Sequence, residues 1–198
     1  MRVAMNSQAM EPSVYINKIT SPTHLVVFYR DQKKARKIEF QFILNGLLKR
    51  QHCIYLTHDK TKSIENEMKK FGINVDGFLR KNLLHIYKIQ DPIKDPKGLL
   101  HGYKTTVKQI LADSKPPYRI VGRIIQDLST KKAVEAELQL ERSFHSNFES
   151  FDGCVLCTYP YDDIEPTRRS EWVSTLVNEH HATVFLPQHL EGISFSLP

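Results

Sequence analysis

Short apolar runs rich in β-branched and aromatic residues alternate along this chain with longer segments in which apolar positions recur every three or four residues. Six such runs stand out: His24 to Tyr29, Cys53 to His58, Leu83 to Ile89, Tyr118 to Ile124, Cys154 to Tyr159 and Thr183 to Leu186. Near-continuous apolar runs suit strands buried on both faces, and helical segments between them supply the cover. The pattern therefore predicts an α/β fold: a mainly parallel central sheet of about six strands with helices on both faces.

Five helices fit between the runs. The first spans about Gln32 to Lys49 and turns Ala35, Ile38, Phe42 and Leu47 to the sheet. The second carries Ile64, Met68 and Phe71 and stops at Gly72, while a third carries Tyr103, Val107, Ile110 and Leu111 ahead of Pro116 and Pro117. A fourth starts at Ser129 or Thr130, either of which can cap it, and runs to about Phe148. The fifth follows Pro166 and includes Trp172, Leu176 and Val177. One domain is expected over residues 21–190, after an irregular segment 1–20. The last residues, 191–198, form a tail that either hangs loose or adds an edge strand.

Composition narrows the class. The 198 residues are 40% hydrophobic and 25% charged, ordinary for a globular domain. No stretch approaches a membrane span, and residues 1–13 lack the apolar core of a secretory signal, so a cytoplasmic protein is expected. Cys53, Cys154 and Cys157 suggest no disulfide framework. A net charge of +6 favours anionic partners without identifying one.

In a doubly wound sheet, ligands bind beyond the carboxyl ends of the strands, which directs attention to the first strand-to-helix loop. Residues 29–37 contain none of the glycines a phosphate-cradling loop needs, and conventional ATP hydrolysis is not expected there. Lys33 and Lys34 offer weak anion binding, or simply a solvated helix face. Cys154 and Cys157 have the spacing of a zinc or redox pair. Residues three apart on a strand point to opposite faces, however, which favours buried core thiols and no metal.

The fourth helix holds an anomaly. Val134, Leu138, Phe144 and Phe148 make one apolar arc, and Glu141 falls near its middle, with His145 one turn on. A carboxylate there needs a cation, a donor or a ligand. Arg119 is the candidate partner, on a strand where alternation sets Arg119, Val121 and Arg123 on one side. A structural ion pair and a ligand-contacting role both fit.

Taken together, His24 with Tyr29, Asn45-Gly46-Leu47, Cys53 with Tyr55, Gly72-Ile73 with Val75, Arg119 with Gly122, Glu141 with Phe144, and Leu156-Cys157 with Tyr159 resemble the pattern of the MEDS domain. This is the methanogen and methylotroph sensory domain named partly after the DcmR regulator, and the resemblance covers about residues 20–190. It implies a RecA/KaiC-like fold without a working phosphate loop and a role in archaeal or bacterial signal transduction through binding of a small molecule. Carried onto this chain, it assigns His24, Tyr29, Arg119, Glu141, Cys157 and Tyr159 to a ligand cleft at one edge of the sheet.

The expected partners are thus an unknown small-molecule ligand and a signalling protein or a second copy of the chain, with no membrane and no cofactor. Two alternatives remain. One is a degenerate nucleotide hydrolase or transferase using Glu141 as general base beside His145. The other is a nucleic-acid binder using Lys33, Lys34, Arg36 and Lys37, for which no helix-turn-helix unit is evident.

Overall fold

The computed structural model describes residues 10–20, 22–188 and 192–196. Its strands are β1 (Thr23–Tyr29), β2 (His52–Thr57), β3 (Leu84–Lys88), β4 (Tyr118–Val121), β5 (Gly153–Pro160), β6 (Ala182–Leu186) and β7 (Ile193–Ser196). Its helices are α1 (Pro12–Lys18), α2 (Gln32–Leu48), α3 (Thr61–Phe71), α4 (Val75–Arg80), α5 (Leu99–Leu111), α6 (Lys131–His145) and α7 (Arg169–Asn178). The sheet order is β3-β2-β4-β5-β1-β6-β7, parallel throughout except for β7, which runs antiparallel to β6. From β1 the chain steps outward to β2 and β3, returns to fill the gap with β4 and β5, and then passes β1 to reach β6.

Right-handed crossovers put the helices of the outward and return journeys on opposite faces. On one side, Ile16, Phe42, Ile43, Leu47, Ile64 and Met68 from α1 to α3 pack on Leu25, Val27, Cys53, Tyr55, Val121, Cys154 and Leu156. On the other, Ile110, Val134, Leu138, Leu140, Trp172 and Leu176 from α5 to α7 pack on Val26, Phe28, Ile54, Ile120, Val155, Cys157 and Tyr159. Strand alternation thus assigns each residue of β1 and β5 to one core or the other.

Several boundaries differ from the sequence expectation. The described part of the first 20 residues is not irregular. Glu11 caps α1 by accepting from the Val14 backbone amide, Pro12 occupies the first turn, and Ile16 is fully buried. The C-terminal residues 193–196 form an edge strand, and residues 1–9, 21, 189–191, 197 and 198 lie outside the described residues. The fourth strand ends at Val121, short of Ile124, because Gly122 turns the chain at φ 137° where a Cβ would meet Leu56 Cβ at 2.6 Å. A short helix, α4, capped by Asn74, was not anticipated.

Candidate ligand site

The core face of α6 carries two carboxylates one turn apart, Glu137 and Glu141, both buried. Beneath them lie β1 and its neighbour β5, paired with Val26 opposite Cys157 and Phe28 opposite Tyr159. Alternation therefore presents His24, Cys157 and Tyr159 to the same helix face. His180, in the turn between α7 and β6, closes the cluster from the side and is only 2% exposed.

Hydrogen bonds tie the group together. The Tyr159 hydroxyl lies 2.8 Å from Glu137 Oε1 and 2.5 Å from Glu141 Oε1. His24 Nε2 stands 3.2 Å from the other oxygen of Glu141, Oε2, and 3.5 Å from Cys157 Sγ. His180 Nε2 is 3.7 Å from Glu141 Oε2, and the two imidazole centroids are 3.8 Å apart. The Ile125 amide donates to Glu137 Oε2 at 3.0 Å, which anchors the β4–α6 loop to the cluster.

Tyrosine has one hydroxyl proton and cannot donate to both carboxylates. Burial, then the adjacent Glu141 charge, pushes the Glu137 carboxyl up to about 8. Glu137 is thus the neutral acid near pH 7, able to donate to Tyr159, which in turn donates to ionised Glu141. Burial also raises Glu141, but hydrogen bonds from the His24 ring and the Tyr159 hydroxyl oppose it and hold that carboxyl below its ordinary value. Burial, helped by the His24 ring, depresses the His180 imidazole to about 3, so His180 is a neutral acceptor or ligand rather than a cation. The Cys157 thiol is pushed well above its ordinary value by burial and by the two carboxylates.

Beside this cluster lies a cavity of about 150 Å³ between α5, α6 and the β4 and β5 strands. Glu137, Glu141, Cys157 and the half-buried Tyr103 face it, but most of its wall is apolar, including Ile110, Leu140, Phe144 and Val155. A second and larger cleft, about 900 Å³, lies at the carboxyl ends of the strands and is lined by Tyr29, Arg36, Glu39, Tyr55, Arg123 and Thr158 among others. Leu56, Gly122 and Arg123 belong to the walls of both. Arg123 donates to the carbonyls of Ile125, Gln126 and Thr158 and so braces the β4–α6 loop between the two spaces.

Of the six residues assigned from sequence, His24, Glu141, Cys157 and Tyr159 come together on this face. Tyr29 lies instead in the carboxyl-end cleft. Arg119 does not pair with Glu141, because β4 alternation buries it on the opposite face. There its Nε donates to Gln51 Oε1 at 2.8 Å and its Nη1 to the Phe42 carbonyl at 3.3 Å, with the guanidinium 4.5 Å above the Phe42 ring. A single cleft joining Tyr29, Arg119 and Glu141 is therefore corrected to three separate locations.

Lys34 is engaged with the Pro187 and Gln188 carbonyls, and Asp31 occupies the α2 N-terminus by accepting from the Lys33 and Lys34 amides. An anion would have to displace that carboxylate. Arg36 is likewise committed, to Glu39, Asp59, Glu67 and Tyr55. Sequence reasoning missed Glu137 and His180. Glu137 was detectable as a second acid four residues before Glu141 on the same arc. His180, a histidine just after a helix, carried no comparable signal.

A sheet of this order with helices on both faces defines an α/β protein of the RecA/KaiC-like class. A KaiC-like protein from the hyperthermophilic archaeon Pyrococcus horikoshii OT3 is similar in fold, with TM-score 0.58 at 10% identity over 87% of this chain and 76% of that one. More specifically, the sequence model of the MEthanogen/methylotroph, DcmR Sensory domain (MEDS) matches residues 23–175, and the chain belongs to that family. The match contains His24, Glu137, Glu141, Cys157 and Tyr159, while His180 lies just beyond it. No curated protein matches this sequence. Among the described residues, no helix is long and apolar enough to cross a membrane.

Proposed function

We propose that this chain is a non-catalytic sensory domain whose ligand is a small, mainly apolar molecule with one polar end, held in the cavity between α5 and α6. The observation that carries this reading is that Glu137 and Glu141, joined through Tyr159, stand in the wall of a mainly apolar cavity of about 150 Å³. Buried carboxylates destabilise a core unless they serve a complementary group. Space of that size accommodates about six heavy atoms, the scale of a benzene ring.

The route outward runs through the β4–α6 loop. An occupant that shifts Glu137 disturbs its bond to the Ile125 amide, and one that shifts Arg123 releases the Ile125 and Gln126 loop carbonyls and that of Thr158 on β5. Ligand binding then changes the balance of two loop arrangements, read by a signalling protein or a second copy of the chain. Thermal-shift screening against small alcohols, amines, thiols and carboxylic acids tests the proposal. A genuine ligand at 100 times its Kd stabilises by about 2.7 kcal/mol. That stabilisation should vanish in Val107→Trp, which fills the cavity from the half-exposed side of α5. Stabilisation that survives there places the ligand elsewhere, and no stabilisation by any compound counts against the reading.

A second reading, a degenerate nucleotide hydrolase, draws on the carboxyl-end cleft of about 900 Å³. Glu141 is not among its lining residues, so the base once considered for it faces the wrong space. Turnover of ATP or GTP that is lost on mutating the Arg36 and Glu39 pair, with the fold intact, would favour it.

A further inference from the structure

We propose that His24, Glu141, Cys157 and His180 form a binding site for one zinc-class divalent ion. The four residues come from β1, α6, β5 and the α7–β6 turn, all are buried, and their ligand atoms lie within 4.8 Å of one another. Bonds of about 2.0–2.3 Å from nitrogen, oxygen and sulfur to tetrahedral zinc set ligand-to-ligand distances of about 3.3–3.6 Å. Here His24 Nε2 to Glu141 Oε2 is 3.2 Å, His24 Nε2 to Cys157 Sγ is 3.5 Å, and His180 Nε2 to Glu141 Oε2 is 3.7 Å. Three of the six donor pairs thus lie close to tetrahedral spacing, and all six lie within 4.8 Å.

A second observation points the same way. His180 Nδ1 lies 2.6 Å from the Leu176 carbonyl, which fixes its proton there and leaves Nε2 as a bare lone pair. That Nε2 is buried, has no hydrogen-bond partner among the described residues, and faces the cluster. A backbone carbonyl holding the far nitrogen is the usual support of a metal-ligating histidine. Charge agrees: one carboxylate, one thiolate and two neutral imidazoles balance a divalent cation, so the loaded site is neutral in a setting where net charge is costly. The mix of imidazole, thiolate and carboxylate selects zinc or cobalt over the hard, oxygen-seeking magnesium and calcium.

Glu141 and Cys157 also line the cavity, so an occupant with a donor atom would meet the ion at that end. The metal site stands apart from the sensory reading, since it is measured with the metal alone.

The test uses the untagged full chain, stripped with EDTA and titrated with Co²⁺ under reducing conditions. The expected result is one Co²⁺ per chain, visible bands of tetrahedral intensity, a sulfur-to-cobalt charge-transfer band, and displacement by Zn²⁺. Cys157→Ser should lose the charge-transfer band, while Cys53→Ser and Cys154→Ser keep it. His180→Ala should weaken binding by more than about 100-fold, the upper range for losing only a ligand's supporting group. Because Cys157→Ser can fail to fold, X-ray absorption of the wild-type zinc form supplies a second readout, expected to show one sulfur and three lighter atoms around the ion. Folded wild-type chain that takes up no Co²⁺, or bound metal without sulfur, overturns the proposal. Loss of metal binding with cavity ligands still bound would leave the sensory reading intact.

Discussion

Replacing Glu137 with Gln should stabilise the metal-free protein at alkaline pH and leave it unchanged in acid. The glutamine amide supplies the donor to Tyr159 and the acceptor for the Ile125 amide that the protonated carboxyl supplies, but it cannot ionise. In the wild type, burial and the Glu141 charge raise this carboxyl from 4.5 to about 8. Below the unfolded value both states hold the proton, and the two proteins should match. Between about 4.5 and 8 only the folded state holds it, so wild-type stability falls with pH relative to the variant. At about 1.4 kcal/mol per pH unit the gap approaches 5 kcal/mol, an upper figure for a group coupled to Glu141.

His180 acts in the opposite sense. Its imidazole is depressed from 6.5 to about 3, so stability is lost as pH falls through that range. The two effects oppose each other between pH 4.5 and 6.5, so the decline that Glu137 imposes should show in the wild type above pH 6.5. Urea unfolding at a series of pH values, followed by the single and buried Trp172, reads this directly. Parallel pH profiles for wild type and Glu137→Gln would refute the protonated-acid assignment.

Other consequences are simpler to test. Arg119→Ala should cost about 3–5 kcal/mol in urea unfolding, because it removes a buried side chain that satisfies Gln51 and the Phe42 carbonyl. Gly46→Ala, which in an open helix would gain about 1 kcal/mol, should instead destabilise by about 1–3 kcal/mol, since the new Cβ would meet Arg119 Cδ at 2.5 Å and Cys53 Sγ at 2.6 Å. None of the three thiols should react quickly with iodoacetamide in the native state. All are buried, and burial pushes Cys53 up to about 12, so rapid labelling should appear only on unfolding in urea.

Much of the architecture was legible because parallel strands buried on both faces read as unbroken apolar runs. The α6 anomaly was legible for a related reason: an acid in the middle of an apolar arc conflicts with the burial its position imposes. What the acid meets was not. Arg119 looked available because alternation says which residues share a strand face but not which face meets α6, and that depends on the crossovers. His180 was passed over because a histidine after a helix is usually exposed, whereas here the short turn into β6 folds it inward. The clearest lesson comes from Cys154 and Cys157. Their opposite facing was legible from strand alternation, whereas the two histidines from distant parts of the chain that stand beside Cys157 were not.

The central question is whether the space beside Glu137 and Glu141 receives a small molecule. Methyl-labelled NMR of the full chain, titrated with any compound that stabilises it, tests this most directly. Shifts should concentrate on Ile110, Leu111, Leu140 and Val155 around the cavity, leaving Leu25, Ile43 and Leu47 on the other face unmoved. Shifts centred on that opposite face, or none at saturation, would contradict it.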